Sequence, residues 1–118
     1  MSIHLQSSQV KQKALELGFH KVGIAAVNQA DAQEVQRSQA WLALGYHADM
    51  EWMANPKRQD IRLVMPEVRN LVCVALNYYT PHQRPKGREY AKISRYAWGR
   101  DYHKVMHKKL KALALWLE

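Results

Sequence analysis

The chain has 118 residues, 47% of them hydrophobic and 24% charged, with 18 Lys and Arg against 10 Asp and Glu for a net +8. That length holds one domain at most, or a piece of one, and the apolar fraction sets it apart from disordered chains. No apolar run nears the ~20 residues of a membrane helix, Met1–Val10 lacks a secretory pattern, and the lone Cys73 excludes an internal disulfide. These features predict a chain without a membrane span in a reducing, cytoplasmic setting.

Taken in order, Ser7 or Ser8 caps a first helix carrying Val10, Ala14 and Leu17, which Gly18 ends. Phe19–Val27 reads as a buried strand. Asp31 caps a second helix with Val35, Trp41, Leu42 and Leu44, stopped at Gly45. Tyr46–Pro66, broken at Asn55-Pro56, reads as turns and short helical pieces. Asn70–Tyr78 is a second strand, and its unbroken apolar run Leu71–Leu76 predicts burial on both faces, Cys73 included. Thr80–Glu89 is a loop. Asp101 opens a final helix with a core stripe of Val105, Met106, Leu110, Leu113 and Leu117. The order α-β-α-β-α predicts a small α/β layered domain with parallel strands. Because the last helix runs to the terminus without a stop signal, the domain reads as an incomplete part of a larger protein.

Charge is concentrated at one end. Residues 1–83 hold eight basic and seven acidic residues, whereas residues 84–118 hold ten basic and three acidic. Tyr90, Tyr96, Trp98 and Tyr102 lie among those cations. Cations attract a phosphate backbone and rings stack on unpaired bases, so the segment points to RNA or another phosphate-rich ligand. A solvated helix face beside a loop gives the same composition.

Arg95-Tyr96-Ala97-Trp98-Gly99-Arg100-Asp101-Tyr102-His103 carries the strongest chemical signal. Gly99 lets the backbone approach a flat ligand. Asp101 stands where a carboxylate caps a helix, and its neighbours Arg100, Tyr102 and His103 also suit a proton donor. Both readings stay open on the residues alone. His103 and His107 are spaced i, i+4, but a zinc site needs three or four ligands. No phosphate loop, dinucleotide fingerprint or nucleophile elbow is present in the sequence.

Several blocks occur in a telling order. Gly45-Tyr46-His47-Ala48-Asp49-Met50-Glu51-Trp52-Met53 precedes Lys57-Arg58 and Pro66-Glu67-Val68-Arg69. Val74-Ala75-Leu76-Asn77-Tyr78-Tyr79 and Lys92-Ile93-Ser94-Arg95-Tyr96-Ala97-Trp98-Gly99-Arg100-Asp101-Tyr102-His103 follow. Together they resemble the N-terminal domain of epoxyqueuosine reductase, from about Val10 to Leu117. The resemblance implies reduction of the epoxide of epoxyqueuosine at the tRNA wobble position, with cobalamin and two [4Fe-4S] clusters as cofactors. It implies Asp101 as proton donor, with Arg58, Ser94 and Asp101 as cobalamin contacts. Arg95, Arg100, Lys104 and Lys108 would meet the tRNA anticodon stem-loop.

The chain departs from the family in lacking the iron–sulfur and helical-repeat domains. The expectation is therefore a fragment or truncated product that needs the missing iron–sulfur domain in cis or trans and does not turn over alone. A tRNA-binding module without redox activity and a structural remnant, dimerising through Leu113, Trp116 and Leu117, are the competing expectations.

Overall fold

The structure is a computed structural model and describes residues 5–27 and 32–118. In chain order it contains α1 (Ser7–Glu16), β1 (Lys21–Ala26), α2 (Ala32–Ala43), β2 (Asn70–Ala75) and α3 (Tyr102–Leu117). Short 3₁₀ helices occupy Glu51–Ala54, Pro56–Arg58, Ile61–Leu63 and Arg95–Ala97. The expected mixed α/β domain and its element order are present. Asp31, expected to cap α2, lies outside the described residues.

Two compact units divide the chain. One comprises the described parts of Met1–Gly23 with Val72–Glu118, the other those of Ile24–Leu71. β1 and β2 pair as a two-stranded sheet. The His20 N–H bonds the Ala75 carbonyl at 2.9 Å and the Val27 N–H bonds that of Arg69 at 2.8 Å. Partner numbers fall as β1 advances, so the strands are antiparallel, not parallel as element order suggested. The connection through α2 and the 3₁₀ turns is long enough to return the chain either way, and no local pattern fixes strand direction.

The first unit is built around α1 and α3. The helix α1 starts after Gln6, whose backbone N–H donates to Gln9 Oε1 at 2.8 Å; neither Ser7 nor Ser8 is the cap. It ends in a Schellman turn. Gly18 N–H bonds the Leu15 carbonyl at 3.0 Å and Phe19 N–H bonds that of Ala14 at 3.2 Å, with Gly18 at φ +96°. That turn delivers Phe19 into a core with Ala14 and Leu113, against which Val22, Val72, Val74, Leu76 and Met106 are partly buried.

Three expectations are corrected here. Val72 and Val74 face the core while Leu71, Cys73 and Ala75 are exposed, so β2 is buried on one face only and Cys73 is not a core thiol. On α3, Leu110 and Leu117 are exposed at 41% and 39%, and the inner stripe runs through Met106, Lys109 and Leu113. Leu113 is core, 3% exposed, and offers nothing to a dimer face.

In the second unit, α2 ends at Gly45, φ +71°, and the chain winds through the 3₁₀ turns. Asn55 Oδ1 accepts from Lys57 N–H at 3.0 Å, and Asp60 Oδ1 from Arg62 N–H at 3.0 Å. These short side-chain caps replace the helical ladder where Pro56 interrupts it. None of the helices among the described residues is long and apolar enough to cross a membrane.

Candidate functional site

The site lies in the first unit, where β2 runs out and α3 begins. Asn77 N–H donates to His20 Nδ1 at 3.1 Å, and Asn77 Oδ1 accepts from Tyr79 N–H at 2.9 Å. This turn presents Tyr78 and Tyr79 beyond the strand. The Lys92–Asp101 segment is closed by Trp98 Nε1–H bonding the Ile93 carbonyl at 2.9 Å. Ser94 starts the 3₁₀ turn, its carbonyl accepting from Ala97 N–H at 3.0 Å. Gly99 takes φ +74°, a left-handed conformation that favours glycine, and a Cβ there would meet no protein atom within 4 Å.

These elements enclose a cavity of about 450 Å³. Tyr78, Tyr96, Trp98 and Tyr102 supply its aromatic wall, Leu76, Val105 and Met106 its aliphatic wall, and Asn77, Arg95 and Arg100 its polar groups. Tyr96 packs edge-on against both Tyr78 and Tyr102, with centroids 6.3 and 5.9 Å apart. The Arg95 guanidinium stacks on Tyr79 and Trp98 at 5.0 and 5.1 Å and donates to the Thr80 carbonyl. Arg95 thus ties the loop to the end of β2. The other expected nucleic-acid contacts, Arg100, Lys104 and Lys108, are exposed.

Asp101 falls between two lining residues, Arg100 and Tyr102, and is not itself a lining residue. It caps α3: Oδ1 accepts from His103 N–H at 3.0 Å and lies 2.9 Å from His103 Nδ1. The His103 side chain and then its backbone N–H hold the Asp101 carboxyl below the ordinary aspartate value. His103 in turn stacks on Tyr102 with centroids 4.1 Å apart.

Arg58 belongs to the second unit, as Ser94 and Asp101 belong to the first. Its guanidinium lies over the Trp52 ring at 4.2 Å and is exposed. That unit also has a groove of about 740 Å³ rimmed by Gln36, Gln39 and Gln59 and by the ion-paired Asp60 and Arg62. Sequence reading gave no role to His47. Its Nδ1 is buried without a hydrogen-bond partner among the described residues, its ring is 6.0 Å from that of Trp41, and Ala48 beside it has φ +49°. The positive φ left no mark in the sequence, because alanine is a poor signal for it. Among the described residues no three His, Cys, Asp or Glu side chains gather as a metal site.

Fold and site together define a small mixed α/β domain whose last helix starts at an aspartate beside an aromatic-walled, cationic cavity. The chain belongs to the epoxyqueuosine reductase family: the family model described as "Epoxyqueuosine reductase QueG, DUF1730" matches residues 58–118. Curated proteins named epoxyqueuosine reductase are similar to it. That of Synechocystis sp. is 62% identical over 98 residues, 82% of this chain and 34% of the relative. Those of Atelocyanobacterium thalassa and Gloeobacter violaceus are each 51% identical over 112 residues, covering 94% and 95% of this chain and 37% and 35% of theirs. The chain therefore spans about a third of the length of these relatives. No solved structure matches it.

Proposed function

We propose that this chain is the substrate- and cofactor-facing part of an epoxyqueuosine reductase, acting on epoxyqueuosine in tRNA. In this reading Asp101 protonates the oxygen released as the epoxide is reduced to the alkene of queuosine. The observation that carries it is the placement of Asp101: a helix-start carboxylate, fixed by two bonds from His103, between two residues that line the aromatic cavity. An acid held in this way needs no reorganisation when charge develops on a leaving oxygen.

Cobalamin is the cofactor of this reading, and the residues present fit part of it. Within the first unit the Tyr, Trp and aliphatic walls suit an apolar face and Ser94 offers backbone groups and a hydroxyl; within the second, Arg58 offers a cation stacked on Trp52. When bound, cobalamin supplies a strongly reducing cobalt centre. Asp101 holds the proton side of the chemistry, and Arg95 keeps the loop closed. Iron–sulfur clusters do not fit this chain, since Cys73 is its one cysteine and a cluster typically takes four thiolates. The reading therefore includes a cluster-bearing iron–sulfur domain, in cis or trans.

The tRNA anticodon stem-loop is the proposed partner. Exposed Arg100, Lys104 and Lys108 suit phosphate contacts, while Arg95 is engaged within the loop. The same exposed cations favour, as a second reading, a tRNA-binding module without redox chemistry; cobalamin binding separates the two.

The test is anaerobic turnover of an epoxyqueuosine-bearing anticodon stem-loop with cobalamin and a chemical reductant. The chain alone gives no sustained turnover. With the cluster-bearing part of a relative supplied in trans, queuosine forms, and Asp101→Asn lowers the rate by about a hundredfold or more. Equal rates for the wild type and Asp101→Asn would refute the assigned acid.

A further inference from the structure

The Asp101 carboxyl raises a difficulty for any role as a lone acid. His103 holds it below the ordinary aspartate value, so near neutral pH it carries no proton of its own. The geometry around it answers the difficulty. His103 directs both its backbone N–H, at 3.0 Å, and its Nδ1, at 2.9 Å, to the same oxygen, Oδ1. Neither bond uses Oδ2.

The imidazole is itself held in place. Tyr102 stacks on it at 4.1 Å with 26° between the planes, and Tyr96 braces Tyr102 edge-on at 5.9 Å. With Nδ1 directed at a carboxylate, the ring hydrogen belongs on Nδ1. The His103 side chain is 74% exposed, which leaves its other nitrogen, Nε2, in reach of water. The neighbouring charged and titratable groups are Arg100 before the pair, Lys104 and His107 along α3, and the phenols of Tyr78, Tyr96 and Tyr102.

We infer that His103 is the positioning residue of this acid: it clamps Asp101 Oδ1 and stores the proton that Asp101 passes to the leaving oxygen. The inference rests on the proposed role of Asp101 as the acid. One proton leaves the imidazolium at Nδ1 for Oδ1, and the Oδ1 hydroxyl so formed gives that same proton to the substrate oxygen. The imidazole ends neutral with its hydrogen on Nε2, the carboxylate is restored, and water returns a proton to Nδ1 of the exposed ring. No electrons move in this relay, so it needs no oxidant or reductant of its own.

The test is a carboxyl ¹³C NMR titration of Asp101 in the 118-residue chain. It compares the wild type with His103→Phe, which keeps a ring on Tyr102 but has no Nδ1, and with His103→Asn, which keeps a donor N–H at the equivalent atom. In the wild type the Asp101 carboxyl signal is expected to show a second inflection as the imidazole titrates. The inflection is expected to vanish in both variants. The main carboxyl midpoint is expected to rise in His103→Phe and to stay low in His103→Asn, with helix content by circular dichroism unchanged. A wild-type carboxyl without the second inflection, or the same midpoint in the wild type and His103→Phe, would overturn the inference. Failure of Asp101→Asn to slow epoxide reduction would remove the underlying acid assignment instead, and would leave these titrations as they are.

Discussion

Lys109 Nζ donates a 2.7 Å hydrogen bond to the Leu17 carbonyl, joining residues 92 positions apart. The bond closes the end of α1 from the middle of α3, with the lysine stem lying along the apolar stripe. Gly18 makes room for it: a Cβ there would stand 2.5 Å from Nζ, in a backbone already at φ +96°. Lys109→Met should therefore cost about 1–2 kcal/mol by leaving a half-buried carbonyl without its partner. Gly18→Ala should cost at least as much, because left-handed strain adds to the displaced ammonium. Urea unfolding followed by circular dichroism measures both, and a neutral Lys109→Met would show that water replaces the bond.

Acid stability follows from two carboxyls. Asp60 titrates below the ordinary aspartate value because the Arg62 side chain and backbone bond it, and Asp101 does so because of His103. A lowered folded-state value means the unfolded chain takes up protons first. The stabilisation is thus complete above the ordinary value of 3.8 and is lost as pH falls through the folded-state values. Thermal midpoints followed from about pH 5 to about pH 2 should drop less steeply in Asp60→Asn and in Asp101→Asn than in the wild type. Both pairs are solvent-exposed, so salt should shrink the difference.

Cys73 should behave as a surface thiol. It stands on the open face of β2 beside Leu71 and Ala75. Under native conditions a maleimide should label it at a rate within about tenfold of that in the unfolded chain, since exposure governs access to the thiolate. Strong protection would mean that another surface covers this face.

RNA binding, if the exposed cations carry it, should weaken steeply with salt. Lys104→Gln and Lys108→Gln should each reduce the slope of log affinity against log salt by about 0.7–0.9, the share of one phosphate contact. Arg95→Gln should act differently. Its guanidinium holds Thr80 and two rings, so its loss should lower thermal stability before it alters the slope. Unchanged slopes in both lysine variants would place the RNA elsewhere.

Much of the fold was legible because single residues dictate local geometry. Gly18 and Gly45 mark helix ends through their positive φ, and Asn55-Pro56 marks the break into 3₁₀ turns. Elements that depend on remote partners were not legible. Leu71–Leu76 reads alike for a strand covered on one face or on two, and only α1 and α3 decide which side chains are covered. On α3 an apolar pattern places Leu110 inward, whereas the Leu17 carbonyl gives Lys109 a reason to lie there.

The site divides in the same way. Asp101 at a helix start is a sequence signal, and the structure confirms the cap through His103 N–H. The second contact, from Nδ1 of the same histidine, has no periodicity to announce it, and the Tyr78–Tyr96–Tyr102 ring series joins three separate segments. Arg95 looked like one more cation in a basic stretch. Its engagement with Tyr79, Thr80 and Trp98 depends on how the loop closes.

Cobalamin binding by the isolated chain tests the central claim most directly. In an anaerobic spectroscopic titration the account predicts a saturable shift from base-on to base-off absorption, weakened in Arg58→Ala and in Asp101→Ala. No shift at concentrations up to about a millimolar, a binding free energy of only about 4 kcal/mol, would contradict it.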